Sequence, residues 1–243
     1  MDLTPTRRAV AAGLLALGGA GSAAWAQEGV PGLTVQAFRT GGVEAAAVVF
    51  SPLRPDAPMS GAGIVLLNGG GGTDNDLRRF WRDAVRMRDR GYVVVMPNYL
   101  GVTPTAAPDN RAIWVQTVVD CADWLTAAQG VQSERTALMG FSRGGWLATE
   151  TAVTRPGFAC AVGIASGGDL PIEAIVHRPP ILLIHADADP VVPPDATRAW
   201  RRRLREAGVG VDLEVLDSDN HVFDPAEWRD VFGRAERFVR RHV

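Results

Sequence analysis

The chain has 243 residues, of which 47% are hydrophobic and 21% charged, and its formal net charge is −2. That size and apolar content suit one domain with a sizeable core and exclude a disordered chain. The charge balance offers no footprint for nucleic acid. Lysine is absent from the sequence, which excludes Schiff-base chemistry, pyridoxal-phosphate attachment, a P-loop lysine and a Ser–Lys pair.

In chain order, residues 1–26 read as an export signal. Thr6-Arg7-Arg8 precedes an apolar stretch rich in Ala, Gly and Leu, and Ala24-Trp25-Ala26 reads as a small-x-small cleavage site. The paired arginines are compatible with twin-arginine export. The expected mature protein is a single domain over residues 27–243, periplasmic or secreted, with no stable membrane association. The alternative is an uncleaved anchor, for which the segment is barely long enough.

Residues 33–39 and 46–51 alternate weakly and lie close together, as in an antiparallel pair at a sheet edge. The continuous apolar run 63–67 predicts a strand buried on both faces. Residues 74–90 predict a helix, with Asp76 able to cap it and Gly91 stopping it. A strand at 92–96 and a helix at 109–129 follow, the latter ended by Gly130. Next come a strand at 136–140, a helix at 144–154 ended before Pro156, and short buried strands at 158–165 and 181–185. A helix at 195–207, a strand at 211–216 and a final helix opened by Asp224-Pro225-Ala226-Glu227 complete the chain. Strands alternating with helices predict an α/β fold: a mostly parallel eight-stranded sheet with helices on both faces. The stretch 166–180 is too short for a lid domain. Cys121 and Cys160 fall in a predicted helix and a predicted strand, as two buried small side chains or, in an exported protein, one disulfide.

Gly140-Phe141-Ser142-Arg143-Gly144-Gly145 lies between a predicted strand and a predicted helix. A sharp turn there would expose Ser142 as a nucleophile in a strained conformation, with glycines two residues to either side to avoid collision. A serine hydroxyl needs a base and a group that orients the base. Asp189, in His185-Ala186-Asp187-Ala188-Asp189-Pro190, lies just beyond a strand and is the preferred acid, with Asp187 as rival. His221 follows the last strand and is the preferred base over His177, His185 and His242. His185, Asp187 and Asp189 alternate as a metal face would, but no further ligands cluster with them, and neither metal nor cofactor is expected. An oxyanion site would use the backbone N–H of Arg143 and one from Leu67-Asn68-Gly69-Gly70-Gly71-Gly72, with Gly70 preferred and Gly69 second.

These segments resemble the α/β-hydrolase superfamily, and within it the lidless dienelactone-hydrolase-like group. The resemblance covers residues 33–242 and rests on Leu67-Asn68-Gly69-Gly70, Gly140-Phe141-Ser142-Arg143-Gly144-Gly145, Asp189-Pro190-Val191-Val192-Pro193 and Asn220-His221-Val222-Phe223. It implies an α/β-hydrolase fold and a serine hydrolase acting on small-molecule or polymer-borne carboxylic esters. Two departures stand out: Ser142 replaces the cysteine typical of enzymes acting on dienelactone, and Asn68 replaces a histidine common before the oxyanion glycines. The Arg143 side chain could pair with a substrate carboxylate, or be solvated or ion-paired. The competing readings are a prolyl-oligopeptidase-type peptidase and a non-catalytic binding protein on the same scaffold.

Overall fold

The computed structural model describes residues 31–103 and 110–243. The expected leader at 1–26 and the expected helix start at Asp109 lie outside the described residues.

Eight strands form one sheet in the order β1-β2-β4-β3-β5-β6-β7-β8. They are β1 Leu33–Thr40, β2 Val43–Phe50, β3 Gly63–Leu67, β4 Val93–Pro97, β5 Thr136–Phe141, β6 Cys160–Ile164, β7 Ile181–Ala186 and β8 Val211–Leu216. β2 is antiparallel to both β1 and β4, and β3 to β8 run parallel. The central strands are short and apolar throughout because helices cover both faces. Alternate residues then serve opposite cores: Ile64 and Leu66 of β3 face one layer, Val65 and Leu67 the other.

Among the described residues, five helices make the two layers: α1 Thr73–Asp89, α2 Arg111–Gln129, α3 Arg143–Thr154, α4 Pro194–Glu206 and α5 Pro225–Val239. α1 and α5 share a core in which Phe80, Phe141, Trp228 and Phe232 meet at ring-centroid distances of 4.9 to 6.1 Å. α2, α3 and α4 pack on the opposite face through Trp114, Leu147 and Trp200. Among the described residues, no helix is long and apolar enough to cross a membrane.

The expected termini hold for α5, where Asp224 accepts from the N–H groups of Ala226 and Glu227 and a capping box forms. They hold too at Gly130, whose φ of 69° closes α2. Asp76 is a correction. It sits inside the first turn of α1, whose capping position is Gly72, and its carboxylate serves another purpose. Between β6 and β7 there is a single 3-10 turn, Ile172–Ala174, in place of a helix.

Cys121 and Cys160 are free and buried, on opposite faces of the sheet. The sheet itself separates them, so the possible disulfide does not form. Burial pushes the Cys160 thiol up to about 12 and raises that of Cys121 as well. Neither thiol should react with Ellman's reagent in the native protein. Both should titrate once it is unfolded in guanidinium, without added reductant.

Candidate active site

β3 is flanked by β4 on one side and β5 on the other, so the direction of chain crossing reverses there. Open parallel sheets leave a crevice at the carboxyl ends of the strands flanking such a point. Asn68–Gly72 leave β3 beside this crevice, and Ser142 leaves β5.

Ser142 has φ 53° and ψ −118°, a conformation that costs on the order of 1–3 kcal/mol in a non-glycine residue. Close packing enforces it. A Cβ at Gly140 would overlap the Gly144 carbonyl, and one at Gly144 would overlap the carbonyls of Leu67 and Asn68. A Cβ at Gly145 would lie 2.6 Å from Ser166 Oγ and 2.8 Å from Gly140 O. The Ser142 N–H donates to Ile164 O at 2.8 Å, and Ser142 O accepts from Trp146 N at 3.1 Å. The turn is thereby tied to β6 behind and to its own helix ahead.

His221 stands between the serine and an aspartate. Its Nε2 lies 3.0 Å from Ser142 Oγ, and its Nδ1 lies 2.8 Å from Asp189 Oδ2. Phe141 packs under the imidazole, with centroids 5.1 Å apart. Asp189 Oδ1 accepts from the N–H groups of Val191 and Val192 at 2.8 and 2.9 Å. Burial pushes the Asp189 carboxyl up, but His221 and these two N–H groups outweigh it and hold the group below the ordinary carboxylate value. Asp187 faces elsewhere. Its Oδ1 accepts from Ser218 N at 3.1 Å, which joins the loop after β7 to the loop after β8.

The loop carrying His221 is braced by Glu227, whose carboxylate accepts from Ser218 Oγ, Asn220 Nδ2 and Asp224 N. The Ser218 bond leads the three in holding Glu227 below its ordinary value.

His185 is buried beside this site. Its Nε2 donates to Val192 O at 2.9 Å, and its Nδ1 lies 2.6 Å from Thr197 Oγ1. Both ring nitrogens are engaged in these contacts. Burial holds the imidazole below its usual value, so it is neutral and shapes the loop bearing Asp189. His177 lies on the β6–β7 connection, and His242 follows α5 against Phe238.

The glycine loop after β3 faces the Ser142 turn: a Cβ at Gly70 would lie 3.6 Å from Arg143 Cζ. As the first residue of α3, Arg143 has no earlier helical carbonyl for its N–H. The Gly70 N–H has no hydrogen-bond partner among the described residues. Gly69 is different and corrects an expectation. Its N–H donates to Asp76 Oδ2 at 2.6 Å and is unavailable to a ligand. Asn68, fully buried, donates from Nδ2 to Gly69 O and accepts from Thr73 Oγ1. The Arg143 guanidinium lies 5.5 Å from the Trp114 ring centroid.

Asp76, Thr73, Tyr99 and Thr197 all support this site, and local sequence does not reveal them. Asp76 and Thr73 read as helix-start residues, while Tyr99 and Thr197 reach partners 31 positions away.

The family model for phospholipases and carboxylesterases matches residues 116–241, just over half of the chain. The chain is 31% identical over 122 residues to the esterase YpfH of Escherichia coli strain K12, which is 48% of this chain and 52% of that protein. It therefore spans about half the length of the curated relative it matches. Among solved structures, a Klebsiella pneumoniae protein named as a dienelactone hydrolase aligns with a TM-score of 0.71 at 15% identity, covering 85% of this chain and 97% of its own. Thermogutta terrifontis esterase 2, phosphorylated by paraoxon, gives 0.70 at 20% identity, covering 86% and 94%. Pyrococcus horikoshii acylaminoacyl peptidase gives 0.69 at 15% identity, covering 87% of this chain but 42% of its own. These structural likenesses establish the α/β-hydrolase fold.

Gly144→Ala should destabilise the protein by about 3 kcal/mol in a urea titration, because the new methyl meets backbone that cannot retreat. Gly210→Ala, with open space around it, should change stability by about 0.5 kcal/mol or less.

Proposed function

The chain belongs to the phospholipase/carboxylesterase family of α/β-hydrolases, and on that premise we propose that it hydrolyses carboxylic esters through Ser142, His221 and Asp189. One observation carries the reading: a single imidazole is shared between the Ser142 hydroxyl at 3.0 Å and the Asp189 carboxylate at 2.8 Å. On this reading, Ser142 Oγ attacks the ester carbonyl carbon while His221 Nε2 takes the hydroxyl proton. The carbonyl oxygen becomes an oxyanion held by the N–H groups of Gly70 and Arg143. Its collapse breaks the ester C–O bond, and His221 returns the proton to the departing alcohol. Water, deprotonated by the same nitrogen, then cleaves the acyl-serine and restores the enzyme.

Asp189 keeps the imidazole in the tautomer that presents a free Nε2 and stabilises the imidazolium that forms. Its two N–H donors fix the carboxylate independently of His221, so orientation is in place before substrate arrives. The ester substrate is a small molecule or a group borne on a polymer. The short β6–β7 connection supports an uncapped site, and the segment at 1–26 supports export with cleavage near Gln27.

A fluorophosphonate probe should label the wild type and not Ser142→Ala, which should lose ester turnover by about 10⁴-fold or more. Labelling of the alanine variant, or none of well-folded wild type, would refute the assignment. Acyl esters of increasing length, set beside peptide-like anilides, should show turnover of the esters; faster anilide cleavage would favour a peptidase.

Asp189→Asn should lower kcat by about 10⁴-fold, whereas Asp187→Asn should keep most of it. The Asp189 carboxyl is held below its ordinary value, so in a pH profile of kcat/KM it should stay charged on acidification into the ordinary carboxylate range; a loss of activity tracing to Asp189 at or above that range would contradict this.

A further inference from the structure

Two consecutive peptide groups form the turn after β3, and three of their four polar groups are held. The carbonyl of the first, on Asn68, accepts from the Tyr99 hydroxyl at 2.7 Å. Its N–H, on Gly69, donates to Asp76 Oδ2 at 2.6 Å. The carbonyl of the second, on Gly69, accepts from Asn68 Nδ2 at 2.8 Å and Gly72 N at 3.2 Å. The fourth group, the Gly70 N–H, is the one without a partner among the described residues. A trans peptide is planar, so its N–H points opposite to its C=O. Holding the first peptide at both ends and the second by its carbonyl leaves the Gly70 N–H little freedom of direction.

Asp76 is the charged member of this set. It is 1% exposed, and a buried carboxylate is costly unless its oxygens are satisfied. Here they divide the work: Oδ1 pairs with Arg79 Nη1 at 2.5 Å, and Oδ2 serves the Gly69 N–H. A hydrogen bond to an ionised acceptor is shorter and stronger than a neutral one. The turn is also wedged sterically. A Cβ at Gly69 would lie 3.0 Å from Phe141 Cδ1 on one side and 3.3 Å from Asp76 Oδ2 on the other.

We infer that Asp76 is a positioning residue for the oxyanion site: its carboxylate, anchored by Arg79, fixes the Asn68–Gly69 peptide and so sets the direction of the Gly70 N–H. The inference rests on the ester-hydrolase reading above. Asp76 reaches the reacting atoms only through the backbone, so its loss weakens the transition state, where the oxyanion is fully charged, more than it weakens substrate binding.

The test compares wild type, Asp76→Leu, Asp76→Asn and Arg79→Met, with folding checked by thermal melts. Each is assayed for p-nitrophenyl acetate turnover and for the rate of labelling by a fluorophosphonate, whose phosphoryl oxygen would occupy the same site. Asp76→Leu should lose about 10²-fold in kcat with KM changed less than about threefold, and should label more slowly in proportion. Asp76→Asn keeps an oxygen acceptor for the Gly69 N–H and should recover kcat to within about tenfold of wild type. Arg79→Met changes a partly exposed side chain, so it carries the test if Asp76→Leu does not fold; its kcat should fall by about threefold or more at unchanged KM. The inference is overturned if folded Asp76→Leu keeps kcat within about threefold of wild type, if Asp76→Asn is as impaired as Asp76→Leu, or if kcat of Arg79→Met is unchanged. Wild type that neither turns over ester nor takes up probe overturns the ester-hydrolase reading, and the inference with it. Active wild type beside an unaffected Asp76→Leu overturns the inference alone.

Discussion

The turn at Ser142 exists because three strands and a helix approach one another more closely than any side chain would permit. Gly140 lies against the Gly144 carbonyl, Gly144 against the last carbonyls of β3, and Gly145 against Ser166. Packing on this scale is rigid, since neighbouring backbone cannot retreat without breaking sheet hydrogen bonds. The serine is therefore held at φ 53° by its surroundings, not by its own preference. The hydroxyl is raised clear of the sheet, the N-terminus of α3 lies beside it, and the loop after β3 is brought face to face with it. The rest of the site is arranged around that fixed point.

Around it, polar groups are used to place other polar groups. Thr197 reaches both Ser166 O and His185, His185 holds the Val192 carbonyl, and the N–H groups of Val191 and Val192 hold Asp189. Glu227 gathers the loop that presents His221. The aromatic cluster of Phe80, Phe141 and Trp228 forms an apolar floor beneath the imidazole, packed by α1 and α5. One helix layer thus supplies the floor, and the other, through α3 and α4, supplies the turn and the loop brace.

Much of the fold was legible in the sequence because its signals are local. Short apolar runs mark strands covered on both faces, and Gly130 and Asp224-Pro225 mark helix ends through conformations that few residues tolerate. Ser142, Asp189 and His221 were legible through order along the chain and position relative to strands. The glycine loop was only half legible. A run of four glycines offers several N–H groups, and local sequence does not show that Asp76 takes up that of Gly69 while that of Gly70 has no partner among the described residues. Asp76 itself reads as a helix cap because an acid near a helix start usually is one. The cysteines were ambiguous for the same kind of reason: residue type allows a disulfide, and only the sheet lying between them excludes it.

By itself the sequence determined the succession of strands and helices, the glycines at the tight turn, and the residues able to act as nucleophile, base and acid. These depend on backbone preference and side-chain chemistry, which are properties of neighbours in the chain. Tertiary structure decided which groups meet. It brought His221 between Ser142 and Asp189 across separations of 79 and 32 positions, sent Asp187 to brace a loop, and left Gly70 rather than Gly69 with an N–H unpaired among the described residues. Hydrogen bonding reaches only about 3 Å. Partners so distant in sequence are therefore chosen by the packing of the sheet and its helices, which no local pattern encodes.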